Sequence, residues 1–439
     1  ISKVFVVVRL NAGRTIERCR WEVGEVELSV AGLTKWRKQP RQAVESTPAL
    51  LRDVSLRAES GALTMVTGPA GAGKSILLRC LAGLEQPDSG EIRVDGRRVD
   101  HLPVAARQMA LIGRDCALWP NLSVYRNIAA GLLFRKSLDA RGIRSASRED
   151  AAARTDPEGE VLRWAEATGV ARLLDRYPDG LTVEEAFRVA LARSLASRPR
   201  VLLLDDPVAD LPHESRQETI MLVRKLLRDL RELEHETVVL WAVRDALCAL
   251  AVADEVAYLA EGQLLQQGKP EAVYANPLHL AVARGFGPLP LNVLEARLTG
   301  APPDTLLGLT VPAIGEVKVS LTLERAGELA RWASGEGKGR DILLLGIRPE
   351  NILVGFDPAD FKEGSMVTPR MKVTGTQFQG WYRLIELRPA TDLAETASFS
   401  LQTVTPATRP LRDGDECFLA WAPEDSYLFD PVSERRIQG

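Results

Sequence analysis

Residues 63–84 read LTMVTGPAGAGKSILLRCLAGL, a short strand-like run, a glycine-rich turn and an apolar helical stretch in unbroken succession. The turn GPAGAGKS, residues 68–75, has the G-x-x-x-x-G-K-S spacing of a phosphate-cradling loop. Glycines at 68, 71 and 73 let successive backbone N–H groups wrap around phosphate oxygens, and the helix that follows presents its positive dipole end. Gly68, Pro69, Ala70, Gly71, Ala72, Gly73, Lys74, Ser75 and Ile76 are therefore the candidate nucleotide-contacting set, with Lys74 reaching the β- and γ-phosphates. Ser75 supplies a hydroxyl for Mg²⁺, whose octahedral shell also needs phosphate oxygens, water and a carboxylate. The competing interpretation is a glycine turn with no ligand, which leaves the lysine and serine at their fixed offsets unexplained.

That carboxylate must come from a second buried strand ending beside the loop. PRVLLLDDP, residues 199–207, provides four apolar residues without alternation, the pattern of a strand covered on both faces, and then Asp205 and Asp206. Asp205 is the candidate metal partner, against the plainer role of capping the next turn. Alternating strand and helix signals through this region predict an α/β core with a mostly parallel sheet.

The rest of the chain narrows the field. With 439 residues, two or three domains are expected. A formal charge of −3 and no dense Lys/Arg run argue against nucleic acid as a partner. The five cysteines are scattered and the four histidines do not cluster with them, so neither a disulfide framework nor a zinc site is predicted and a reducing compartment fits. TVVLWAV at 237–243 is far short of the roughly 20 apolar residues that cross a bilayer. Residues 1–24, starting at Ile1, are expected to be a fragment edge or an unnatural extension.

Further landmarks follow in order: CALWPNLSVYRNIAAGL at 116–132, LDRYPDGLTVEE at 174–185, VALARSLASRPRVLLLDDP at 189–207 and VADEVAYLAEGQLLQQGKPEAVYANP at 252–277. Together with the phosphate loop, the chain from about residue 25 onward resembles the ATP-binding subunits of bacterial ABC importers for maltose, other sugars and glycerol phosphate. The resemblance implies a P-loop NTPase fold over residues 25–275: a RecA-like core with an antiparallel β-subdomain, and a helical subdomain at about 114–197. Residues 276–439 form a linker and an all-β, oligonucleotide-binding-like regulatory domain, consistent with strand signals EVKVSL, DILLLGIRP, MKVTGTQF, WYRLIELR, ASFSLQTV and ECFLAWAP.

The resemblance also implies ATP and Mg²⁺ as cofactors and a second ATP-binding subunit as partner. Two permease subunits would bind the helical subdomain, and a periplasmic solute-binding protein would act indirectly. The chain would then sit peripherally on the cytoplasmic face of the inner membrane. Several positions depart from the family pattern. Arg114 stands where the family has a Gln that touches Mg²⁺ and the attacking water, and a guanidinium has no lone pair to offer a metal. Asp206 replaces the general-base Glu, Arg244 replaces the switch histidine, and Pro212 replaces the Asp of the dimer loop. The signature L-S-G-G-Q reads Leu181-Thr182-Val183-Glu184-Glu185, which sets two carboxylates toward the partner's γ-phosphate. Trp36 is the candidate adenine-stacking residue, one position from the family's aromatic, its alternative being an ordinary half-buried tryptophan. The chain is thus expected to energise import of a sugar, polyol or glycerol-type solute as the weakly catalytic member of a heterodimeric pair with a competent paralogue. The alternatives are a silent pseudo-ATPase and a soluble ABC protein acting on ribosomes or DNA. The latter is disfavoured by a single phosphate loop and no sustained heptads.

Overall fold

The computed structural model describes residues 7–9, 15–17, 26–37, 49–140, 156–232, 236–299, 308–311, 323–335, 337, 342–390, 400–408 and 411–437. The chain divides into two compact units, residues 1–271 and 272–439. Most of the expected extension at 1–24, the strand signal EVKVSL and the stretch between Trp36 and Ala49 lie largely outside the described residues.

In the first unit a short hairpin pairs β1 (Val7–Arg9) with β2 (Thr15–Glu17). An antiparallel sheet then runs in the order β4-β3-β6-β7, from β3 (Glu27–Trp36), β4 (Ala49–Glu59), β6 (Ser89–Val94) and β7 (Arg97–Arg98). The central sheet has the order β12-β11-β5-β10-β9-β8. Its members are β5 (Leu63–Thr67), β8 (Met109–Ile112), β9 (Val201–Asp205), β10 (Val238–Ala242), β11 (Glu255–Ala260) and β12 (Gln263–Gly268). Every pairing from β11 to β8 is parallel, and only β12 runs against its neighbour. All five residues of β5 and of β10 are buried, as are the first four of β9. That is why these strands read as continuous apolar runs: helices and the second sheet leave them no solvated face.

Helix α1 (Lys74–Ala82) buries Leu77, Leu78, Cys80 and Leu81 in the core that lies between the two sheets. Three further helices, α2 (Val124–Ala140), α3 (Pro157–Ala167) and α4 (Val183–Ala196), pack on one another. Helix α4 buries Phe187, Val189, Leu191 and Leu195, each worth roughly 1.5–3 kcal/mol of transfer free energy. Between these helices sits an ionic group: the Glu160 Oε1 carboxylate oxygen faces Arg135 at 3.3 Å and Arg198 at 3.5 Å, and accepts from the Trp164 indole at 3.3 Å. Helices α5 (His213–Glu232) and α6 (Ala246–Val252) complete the unit.

The second unit opens with α7 (Leu280–Gly285) and is otherwise built of antiparallel sheets. One has the order β14-β13-β15-β22, from β13 (Asn292–Thr299), β14 (Gly308–Thr310), β15 (Ile342–Ile347) and β22 (Ser426–Phe429). The other runs β16-β21-β18-β19-β20, with β17 also on β21. Its strands are β16 (Leu353–Gly355), β17 (Met366–Val367), β18 (Met371–Phe378), β19 (Tyr382–Pro389), β20 (Leu401–Pro406) and β21 (Glu416–Trp421). Leu294, Leu345, Ile385, Leu387 and Leu419 bring both sheets into one core. The strand signals did not anticipate α8 (Leu323–Ser334), which contributes Leu329 and Trp332 to that core. The motif LGIRPENI has a structural role here. Arg348 is buried, stacks 3.7 Å from the centre of the Tyr274 ring and donates to the Tyr274 carbonyl at 3.0 Å and to that of Phe286.

Substituting Glu160→Ala leaves Arg135 and Arg198 buried without their shared carboxylate. Denaturant unfolding is expected to show a loss of about 3–5 kcal/mol for this unit, whereas Glu91→Ala in the exposed ion pairs with Arg93 and Arg98 costs about 1 kcal/mol or less.

Candidate functional site

Four neighbouring parallel strands deliver the site from their carboxyl ends, where open α/β sheets hold ligands. The phosphate loop follows β5, Arg244 follows β10 by two residues, Asp205 and Asp206 end β9, and Arg114 follows β8 by two residues. Sheet order thus gathers groups that lie up to 176 positions apart in sequence.

The loop's conformation depends on missing side chains. Gly68, Gly71 and Gly73 have φ of 142°, 79° and 104°, which residues with a Cβ rarely adopt. A Cβ on Gly68 would meet the Leu259 carbonyl oxygen at 1.9 Å, and one on Gly73 would meet that of Leu50 at 2.7 Å. Pro69, Ala70 and Gly71 are exposed at the tip, while Ala72 is buried and Ile76 packs against the core. Gly73 is also the N-cap of α1, which has no side-chain cap and no acidic residue in its first turn. Its first N–H groups are consequently open toward the loop. Lys74 Nζ donates to the carbonyls of Gly68 at 2.6 Å and Pro69 at 3.0 Å. Burial lowers the Lys74 pKa, opposed by the charges of Asp206 and Asp205 and reinforced by Arg244 and Arg114.

Ser75 Oγ donates to Asp205 Oδ1 at 2.8 Å, so the two hard oxygen ligands expected for Mg²⁺ stand side by side. Asp206 is held differently. Its φ of 50° is left-handed, a conformation Asp tolerates better than most residues, and its N–H donates to the Ala242 carbonyl at 3.0 Å. Its Oδ2 accepts from Arg244 Nε at 2.9 Å and lies 3.5 Å from Arg114 Nη2. Arg114, Asp206 and Arg244 therefore form one ion-paired group, a connection the linear sequence did not disclose.

Beside it a cavity of about 250 Å³ is lined by Val208, Arg216, Trp241 and Cys248 together with Asp206 and Arg244. Burial pushes the Cys248 thiol up to about 11, so it remains protonated and is no nucleophile at neutral pH.

The signature residues are not brought to this chain's own phosphate loop. Leu181 leads into α4, Thr182 is its N-cap, and Val183 is exposed. Both carboxylates have partners within the chain. Thr182 Oγ1 accepts from Glu185 N at 3.2 Å while Glu185 Oε2 accepts from Thr182 N at 3.0 Å, a reciprocal capping box. Glu184 turns along the helix to Arg188, 2.5 Å away, as an i,i+4 pair. Capping explains Glu185, whose carboxylate takes an orphan N–H, and i,i+4 spacing explains Glu184. One turn from the far end of α4, Arg193 donates to the carbonyls of Ala117 at 2.8 Å and Cys116 at 3.0 Å and stacks on Trp119. It thereby clamps the loop after Arg114, where Cys116 and Ala117 both have positive φ. Nothing in the sequence pattern singled out Arg193.

Trp36 ends β3 opposite Ala49 and is 48% exposed, its N–H bonded to Asp88 Oδ2 at 2.7 Å. Since Leu50 stands against Gly73, this strand end lies next to the phosphate loop with an aromatic face in solvent.

Among known proteins, the family model described as ABC transporter matches residues 51–209. A sulfate/thiosulfate import ATP-binding protein of Synechococcus elongatus is 39% identical over 244 residues, 56% of this chain; the chain spans 64% of that relative, just under two thirds of its length. An sn-glycerol-3-phosphate import ATP-binding protein of Psychromonas ingrahamii is 30% identical over 331 residues, covering 72% of this chain and 81% of that one. A xylose/arabinose import ATP-binding protein of Haloferax volcanii is 30% identical over 381 residues, covering 86% and 89%.

The capping box yields a stability prediction independent of any ligand. Thr182→Ala, which removes the side-chain acceptor for Glu185 N, is expected to destabilise the first unit by about 1 kcal/mol in urea titrations, while Thr182→Ser retains nearly full stability.

Proposed function

The chain belongs to the family of ABC transporter ATP-binding proteins, and from that premise we propose that it is the ATP-binding, weakly catalytic member of an ATPase pair energising import of a sugar, polyol or glycerol-type solute. The observation that carries the binding half of this reading is the open N-terminus of α1 behind a glycine loop, with Lys74 parked on that loop's own carbonyls. On nucleotide binding, backbone donors from Gly71 to Ser75 and the Lys74 ammonium take the phosphates, and the exposed Trp36 ring receives the base. Mg²⁺, held by Ser75 and Asp205 through hydroxyl and carboxylate oxygens, would neutralise phosphate charge during transfer.

The catalytic half is weak on geometric grounds. A general base must reach the attacking water, and Asp206 is one methylene shorter than Glu with the lone pairs of Oδ2 directed at Arg244 and Arg114. Misplacement by about 1 Å can cost on the order of a hundredfold. The signature face is weak for a related reason. A helix start that donates to its own Thr182 and Glu185 has fewer N–H groups left for a partner subunit's γ-phosphate. A competent paralogue would own the productive site. The Asp206 ion pairs equally suit a structural pseudo-ATPase subunit, which would bind no nucleotide and so differs from the first reading in equilibrium ATP binding.

The remaining partners in this proposal are two permease subunits docking on the helical segment at about 114–197 and, through them, a periplasmic solute-binding protein. The chain would then lie on the cytoplasmic face of the inner membrane. Among the described residues no helix is long and apolar enough to cross a membrane. The matched relatives are named for sulfate, glycerol-3-phosphate and pentose import, which suits a subunit that powers transport while others select the solute.

Equilibrium titration with a fluorescent ATP analogue tests the binding half: Lys74→Ala should lose most of the affinity, and undiminished binding would remove the phosphate-loop assignment. The catalytic half predicts that the triple variant Arg114→Gln, Arg244→His, Asp206→Glu raises turnover when a partner supplies an intact signature helix. Each single reversion should raise turnover little at saturating ATP, because groups acting as one catalytic unit are non-additive.

A further inference from the structure

Resting on the ATP-binding reading above, we propose that Asp206 is an internal stand-in for the terminal phosphate: it holds Arg114 and Arg244 until a nucleoside triphosphate displaces it, making the two arginines a triphosphate-specific clamp.

Three observations support it. First, a single carboxylate oxygen, Asp206 Oδ2, is shared by both guanidinium groups, at 2.9 Å and 3.5 Å. Second, the partners differ in freedom. The Asp206 side chain is 10% exposed, and its backbone is tied to β10 through the Ala242 carbonyl, whereas the arginine side chains are 50% and 51% exposed. Exchange of acceptors therefore moves the arginines and leaves the carboxylate in place. Third, Asp206 adjoins Asp205, whose Oδ1 accepts from Ser75 Oγ at 2.8 Å, so the group lies beside the loop that receives the phosphates.

Lys74, Arg114 and Arg244 each have an acceptor within the protein: two loop carbonyls for the lysine and one carboxylate for the arginines. A γ-phosphate offers more acceptor oxygens and more negative charge than one carboxylate, and guanidinium groups bind phosphate as a planar fork. A diphosphate ends one phosphate short and leaves the Asp206 pairs intact. Breaking those pairs reduces triphosphate affinity in the parent, so neutralising Asp206 should raise it without comparable effect on ADP.

Calorimetric titration of the whole chain with ATP and with ADP, both with Mg²⁺, decides the matter. Asp206→Asn is expected to tighten ATP by about tenfold and to change ADP by less than about threefold. Arg244→Gln and Arg114→Gln, at half-exposed side chains that do not endanger folding, are each expected to weaken ATP by about tenfold with ADP again little changed. An unchanged ratio of ATP to ADP affinity in Asp206→Asn, or in both arginine variants should Asp206→Asn not fold, overturns the clamp while leaving nucleotide binding intact. A parent chain that binds neither nucleotide overturns the ATP-binding reading itself, and the clamp with it.

Discussion

A carbonyl oxygen governs the whole site. Leu259 on β11 presses so closely on Gly68 that a methyl group there would sit 1.9 Å from it. Because of that contact, β5 must be followed by a residue without a side chain, at φ 142°. From that residue the loop turns over, and two further glycines bring Gly73 against Leu50 as the cap of α1. Everything else is positioned relative to this turn. The Ser75 hydroxyl reaches Asp205 only because α1 starts where it does, and Lys74 can fold back on Gly68 only because the loop curls around it. A rigid backbone cradle of this kind costs conformational entropy, and the buried apolar strands β5, β9 and β10 supply the offset.

Two helix beginnings in one unit show how the same backbone chemistry is put to opposite use. Helix α1 starts at a glycine with no side-chain cap and no acid in its first turn, which leaves its donors for an external anion. Helix α4 starts at Thr182 with Glu185 closing the box, and two of its donors, Thr182 N and Glu185 N, are consumed internally. In the proposed pairing, α1 serves this chain's own nucleotide and α4 would serve the partner's. On that proposal the chain binds ATP well and assists a neighbour poorly. The ion-paired Asp206 extends the asymmetry to hydrolysis at the chain's own loop.

How much of this could be read beforehand depended on sequence distance. The phosphate loop was legible because its glycines, lysine and serine occupy eight consecutive positions between a strand and a helix. Strand β9 and its terminal Asp205 were legible because burial on both faces writes an unbroken apolar run. The pairing of Asp206 with Arg244 and Arg114 was not, since it spans 38 and 92 positions and arises only from strand order. Arg193, whose clamp on Cys116 and Ala117 bridges 77 and 76 positions, was hidden for the same reason. The capping box was within reach, because Thr182 and Glu185 have the required spacing. Aligning those residues to a transport signature drew attention to their charge and away from their local partners. In the second unit, α8 lies between strand signals, and the apolar strand runs around it masked its helical pattern.

In the proposed pair this chain retains ATP where a competent subunit would cleave it. The most direct measurement uses the transporter complex purified from native membranes and turned over with a photo-cross-linking ATP analogue labelled on its α-phosphate. The nucleotide attached to each subunit is then identified after a short pulse. The account predicts that label on this chain is recovered mainly as triphosphate while label on the second ATP-binding subunit is mainly diphosphate. Recovery of diphosphate from this chain as fast as from its partner would contradict it.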